Sequence, residues 1–134
     1  MSLGGDCRWL NVNNIQCPYN GQMEWSIHKN KESADLSNEH KLERTKSKKG
    51  GKIISEENVN IIFEDTPTIA KKVIYDFNGI VSLAAGGDSL IIYYVSEKIR
   101  GQNVSCVMSF WNNDNITTNG ITPLLEEVMK FPTN

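Results

Sequence analysis

The stretch SLIIYYVSE, Ser89–Glu97, limits the fold more than any other part of the chain. It is β-branched and aromatic, and apolar on both faces of an extended strand, so it needs cover on two sides and reads as a central strand. The residues after it supply one neighbour. RGQN reads as a turn, and VSCVMSFW then sets Val104, Cys106, Met108 and Phe110 on one face against Ser105, Val107, Ser109 and Trp111. That alternation predicts an antiparallel hairpin.

Further strands follow from the same period of two. QMEWSIH alternates Met23, Trp25 and Ile27 against polar residues, and an earlier strand is expected through CRWLNVNNI, with CPYNG as the turn between them. Val59, Ile61 and Phe63 share one face of another strand. Two helices are expected. In the first, over 66–78, Thr66 caps the first turn, Pro67 follows it, and Ile69, Ala70, Val73, Ile74 and Phe77 recur on one side before an Asn78-Gly79 stop. The competing reading makes KKVIYDF and IVSLAA a hairpin around that Asn-Gly, because Val73, Tyr75 and Phe77 also alternate. The second helix, over 122–131, opens at Thr122-Pro123 and carries Leu124, Leu125, Val128 and Phe131 as its stripe.

From Asn30 to Lys52 the chain is charged, with Leu36 and Leu42 its only large apolar residues before Ile53, and a long basic loop 30–52 is the expectation. A chain of 134 residues suits one domain over 1–134, its first residues open to being an expression scar. The fold class expected is α+β: an antiparallel sheet of about five to six strands packed against one or two helices.

Gly87-Asp88-Ser89-Leu90 resembles the nucleophile motif of the GDSL esterases and lipases. The resemblance covers those four residues and the preceding Gly86, and it implies Ser89 as the nucleophile. A serine needs a base within reach and donors for the oxyanion. The family takes its base from an Asp-x-x-His near the C-terminus. Here the two histidines, His28 and His40, both precede Ser89, and Ser89 leads into strand residues instead of a helix. Gly86 to Ser89 therefore reads as a turn, with Ser89 the weak catalytic candidate.

Within Lys41–Lys52, six residues are basic and one acidic, a local charge of +5 in a chain of net −2, which leaves −7 elsewhere. Lys46, Lys48, Lys49 and Lys52 are the candidates for holding an anion or an acidic partner face. The segment lacks the spacing of a phosphate-binding loop and has no aromatic residue to stack on a base, so nucleic acid is not the favoured partner. Trp111, at a strand end on the less apolar face, is the candidate ligand or interface contact. His40 with Glu39, Glu43 and His28 has no metal-ligand spacing, and neither a metal nor a cofactor is expected.

Three cysteines, Cys7, Cys17 and Cys106, make an odd number with no CxxC. Reduced thiols in a cytoplasmic protein are the first expectation, and a Cys7–Cys17 bridge in an exported protein with its leader removed is the alternative. No apolar run approaches the ~18 residues of a membrane span. With no constellation for catalysis, the expected function is a non-enzymatic binding or interaction domain, presenting sheet and loops to a protein, a second copy or a small ligand. A small hydrolase using Ser89 and phosphate or nucleic-acid binding through 41–52 are the alternatives.

Overall fold

The computed structural model describes residues 7–11, 13–17, 20–77 and 89–133. Its strands are β1 (Arg8–Asn11), β2 (Asn14–Cys17), β3 (Gly21–His28), β4 (Gly51–Phe63), β5 (Thr66–Phe77), β6 (Ser89–Ile99), β7 (Gln102–Trp111) and β8 (Met129–Lys130). All pairings are antiparallel, and the sheet runs β1-β2-β3-β7-β6-β5-β4-β8. The sheet curls into a half-barrel, and the fold is mostly β with one main helix, α1 (Lys31–Lys46). This corrects the expected α+β sheet of five to six strands on helices.

The expected β6–β7 hairpin is paired over its whole length, from Leu90↔Trp111 to Ile99↔Gln102. Its central strand has two covered faces. Tyr93 and Val95 point into the main core with Met23, Ile61, Met108 and Leu125, while Ile92 and Tyr94 meet Leu42 and Val73 under α1.

The segment expected as a helix over 66–78 is strand β5, paired with β4 from Phe63↔Thr66 to Gly51↔Phe77. The β-branched residues and the alternation of Val73, Tyr75 and Phe77 win over the helical spacing. Glu64 and Asp65, at φ 48° and 65°, make the two-residue turn, and positive φ at both central residues matches the right-handed twist of hairpin strands. Pro67 lies where β5 pairs with β4 but not β6, an edge-like place for a strand proline. A bulge between Ile53 and Ser55 reverses the parity of β4, so Ile53 packs under α1 while Val59, Ile61 and Phe63 face the main core. Residues 78–88, which include the Asn-Gly turn and the glycines before Ser89, lie outside the described residues.

The expected basic loop is also corrected: Lys31–Lys46 is helical. Asn30 caps it by accepting a bond from the Ser33 N–H at 2.8 Å, and no glycine or proline interrupts it until Gly50. Its buried stripe is only Ala34, Asn38 and Leu42, so it carries almost no apolar signature. Hydrogen bonds replace hydrophobic area: Asn38 Nδ2 donates to the Val95 carbonyl at 2.7 Å, and Thr45 and Tyr94 hydroxyls lie 2.9 Å apart.

The C-terminal helix is shorter than expected. A single turn, α2 (Pro123–Glu126), plugs the concave face with buried Leu124 and Leu125, and the chain then extends so that Met129 and Lys130 pair with Phe63 and Ile62. Cys7 and Cys17 form a disulfide, which corrects the reduced-thiol expectation for that pair, and Cys106 is a free buried thiol. Among the described residues, no helix is long and apolar enough to cross a membrane.

Candidate functional site

The residues singled out from sequence fall at separate places on this frame. Ser89 opens β6 directly opposite Asp76 of β5. Its hydroxyl donates to Asp76 Oδ1 at 2.7 Å, and its N–H donates to Asn112 Oδ1 at 3.2 Å. No imidazole joins it. His40 is exposed on α1, and His28 Nε2 lies 2.8 Å from the hydroxyl of Ser105, a residue with no exposed surface. Among the described residues, the serine–histidine contact therefore has no accessible hydroxyl.

The lysines of the basic segment are spread along the end of α1 and the start of β4. Lys46 lies 3.7 Å from both Glu43 and Glu56, Lys48 sits 5.8 Å above the Phe77 ring, and Lys49 and Lys52 are exposed. Lys41 of the same segment is bonded to Glu24 at 2.9 Å. Part of the local +5 is thus balanced inside the fold. Trp111 is half-buried, its ring 5.3 Å from Phe77, and its backbone N–H donates to Asp114 Oδ2 at 2.8 Å. Burial raises the Asp114 carboxyl above its ordinary value, against the lowering effect of that bond.

The sheet does bring together residues that the sequence reading left as core. At the end of the half-barrel beyond the C-terminal plug, a cavity of about 370 Å3 opens among Met23, Trp25 and Ile27 of β3, Val104 and Cys106 of β7, Phe63, Ile99 and Val128. Strand alternation places Met23, Trp25 and Ile27 on one face, and pairing sets Trp25 opposite Cys106 and Ile27 opposite Val104. Met23, Phe63 and Cys106 form buried walls, whereas Ile27 is 58% exposed although it continues the same apolar row. The mouth is polar. Arg100, in the tight β6–β7 turn at φ 49°, holds its guanidinium 3.5 Å from Glu64 in the β4–β5 turn, so an ion pair joins the two hairpin tips beside the opening. The sequence signal for this site is Ile27, the last apolar residue of its row, but only the position of the plug shows that Ile27 stays largely exposed.

Inside, Cys106 is no nucleophile: burial pushes its thiol up to about 12 from an ordinary 9.0. Tyr93, in the same core, is pushed up to about 12 from 10.0, by burial first and the Glu57 charge second. Both groups keep their protons in the folded state through a window where the unfolded chain releases them. The stabilisation from Cys106 is complete below about pH 9 and is lost as pH rises toward 12, and that from Tyr93 is complete below about pH 10 and is lost over the rest of the same range. Denaturant unfolding at about pH 8 and about pH 10.5 should therefore show a smaller alkaline loss in Cys106→Ala than in the wild type. An equal loss in both proteins contradicts the buried, protonated thiol.

No protein-family model matches the chain, and no curated protein or solved structure matches it either.

Proposed function

We propose that the protein is a non-enzymatic binding domain whose ligand is a small, largely apolar molecule held in the cavity at the open end of the half-barrel. The observation that carries this reading is the uncovered continuation of a core face. Ile27 and Trp25 extend the row begun by buried Met23 into a cavity of about 370 Å3, within the range of small-molecule sites. A cavity of this size lined by apolar walls gains from burying an apolar ligand, and the Arg100–Glu64 pair gives the ligand's polar end a wet, charged rim to face.

The alternatives have thinner support. A hydrolase on the resembled pattern would need an imidazole and oxyanion donors at Ser89, whose hydroxyl is bonded to the Asp76 carboxylate instead. Phosphate or nucleic-acid binding would need a concentrated basic surface, and Lys41 and Lys46 face carboxylates. The Cys7–Cys17 bridge supports an oxidising compartment over the cytoplasm as the place where the domain works.

The test is a series of straight-chain primary alcohols measured by calorimetry. Each added methylene should improve affinity about fourfold, from about 0.8 kcal/mol of transfer energy, until the cavity is full and the gain stops. An affinity independent of chain length contradicts the proposal.

A further inference from the structure

The triplet Asn-x-Ser/Thr occurs twice in the chain, at Asn103-Val104-Ser105 and at Asn115-Ile116-Thr117. So short a pattern also arises by chance, and it gains meaning only on a surface loop of a chain that matures under oxidising conditions. The fold separates the two triplets on that criterion.

Asn103 lies in β7, paired with His28 on one side and Lys98 on the other, so its backbone is held inside the sheet. It is half-buried, and the serine of its triplet has no exposed surface, its hydroxyl lying 2.8 Å from His28 Nε2. A branched carbohydrate needs free solvent around its acceptor, and this position offers little.

Asn115 is placed the other way. It is exposed, in the irregular segment between β7 and α2, and makes no hydrogen bond to the described residues. Turns on both sides hold the segment in shape. Before it, the Asp114 N–H donates to the Trp111 carbonyl at 3.0 Å; after it, the Thr117 N–H donates to the Ile121 carbonyl at 2.9 Å. The Thr117 hydroxyl accepts the Asn119 N–H at 3.2 Å and keeps its own proton free, and Ile116 stands 42% exposed between the two triplet ends. The open end of the half-barrel stays clear as well. At about 3.3 Å per residue, the end of β7 that leads to Asn115 lies roughly 30 Å from Gln102 at the cavity.

The Cys7–Cys17 bridge meets the second condition. We propose that Asn115 is an N-linked glycan acceptor and that Asn103 is not. In the transfer, Asn115 Nδ2 forms a bond to C1 of the first sugar, and the bond from C1 to the pyrophosphate of an isoprenoid-linked oligosaccharide breaks. One amide proton leaves with the lipid pyrophosphate, and nothing is oxidised or reduced. A carbohydrate there shields Ile116 from other molecules. The inference rests on the oxidising compartment and not on a ligand in the apolar cavity.

The test is secretion of the full chain from a eukaryotic cell behind a cleavable leader. Peptide masses are then mapped before and after an amidase that releases N-linked glycans and leaves aspartate at the acceptor. The map should show Asn115 converted, Asn103 unchanged and Cys7 joined to Cys17. Asn115→Gln and Thr117→Ala should remove all of the carbohydrate, Thr117→Ser should keep it, and Asn103→Gln should carry as much as the wild type. After enzymatic deglycosylation, Asn115→Gln and the wild type should melt at the same midpoint, which separates loss of the acceptor from loss of the fold. A bare Asn115 in the secreted chain overturns the proposal, and so does carbohydrate on Asn103. If Asn115 is bare beside a formed bridge, the acceptor alone is wrong; if it is bare beside free Cys7 and Cys17 thiols, the oxidising compartment falls with it.

Discussion

Leu125→Ala is expected to lower the unfolding free energy by about 2–5 kcal/mol, measured by denaturant titration against the wild type. Leu125 has no exposed surface and sits in the turn of α2, where it joins Ile61, Tyr93, Met108 and Phe110 in the core of the half-barrel. Truncation removes its apolar contacts and leaves a void, because the sheet around it is fixed by ladders on both sides and cannot collapse far. The upper half of the range applies here. The C-terminal segment is the only helical cover this concave face has among the described residues, and its far end supplies Val128 to the cavity and accepts the Glu64 N–H at 2.8 Å. A loss below about 1 kcal/mol would mean that the segment does not plug the barrel as described.

Gly21→Ala is the second large expected loss, about 2–4 kcal/mol by the same measurement. Two independent effects meet at this residue. Its φ of 95° lies in the left-handed half of the map, where a side chain is strained, and an added Cβ would come within 2.5 Å of the Ser109 carbonyl oxygen on the paired strand. That oxygen is backbone in the middle of the sheet, so it has little room to retreat. The same Cβ would press on Phe110 at 3.2 Å and Thr122 at 3.4 Å, where the C-terminal segment rests on β3. Gly101→Ala makes the control: its φ is 82°, yet nothing lies within 4 Å, so it should lose only the backbone share, about 1–2 kcal/mol. Equal losses at both glycines would remove the close contact from the explanation.

Two of the corrections to the expected fold, over 66–77 and over 31–46, have one physical origin. A strand or helix period belongs to one segment alone, whereas both of these segments take their form from what lies opposite. Over 66–77, Ile69, Ala70, Val73, Ile74 and Phe77 satisfy a helical stripe, and only the Glu64-Asp65 turn and the long run of β4 across from it make the strand the better use of the same residues. Over 31–46, the helix spends Asn38 and Thr45 on hydrogen bonds to β6 where a typical core-facing helix spends leucines, so a search for an apolar stripe finds none. The Asn30 cap and a stretch free of glycine and proline, with Lys, Glu and Arg through it, are the legible signals. The β6–β7 hairpin was legible because a strand apolar on both faces admits few alternatives. The cavity was half legible: alternation put Met23, Trp25 and Ile27 in a row, but where the plug stops along that row is a property of the C-terminal segment, not of β3. Ser89 shows the opposite case, a local motif whose hydroxyl bonds a carboxylate, Asp76, and meets neither of the two histidines.

The central claim, that the cavity among β3, β7 and the two hairpin tips is a ligand site, is most directly tested by following amide signals of the wild type and of Val104→Trp during titration with hexanol. Val104 is half-buried in the cavity wall opposite Ile27, so an indole there fills the space without entering the closed core. The account predicts shifts in the wild type confined to Met23–Ile27, Phe63, Glu64 and Ile99–Cys106, and none of them in the variant. Equal shifts in both proteins, or shifts centred elsewhere on the sheet, would contradict it.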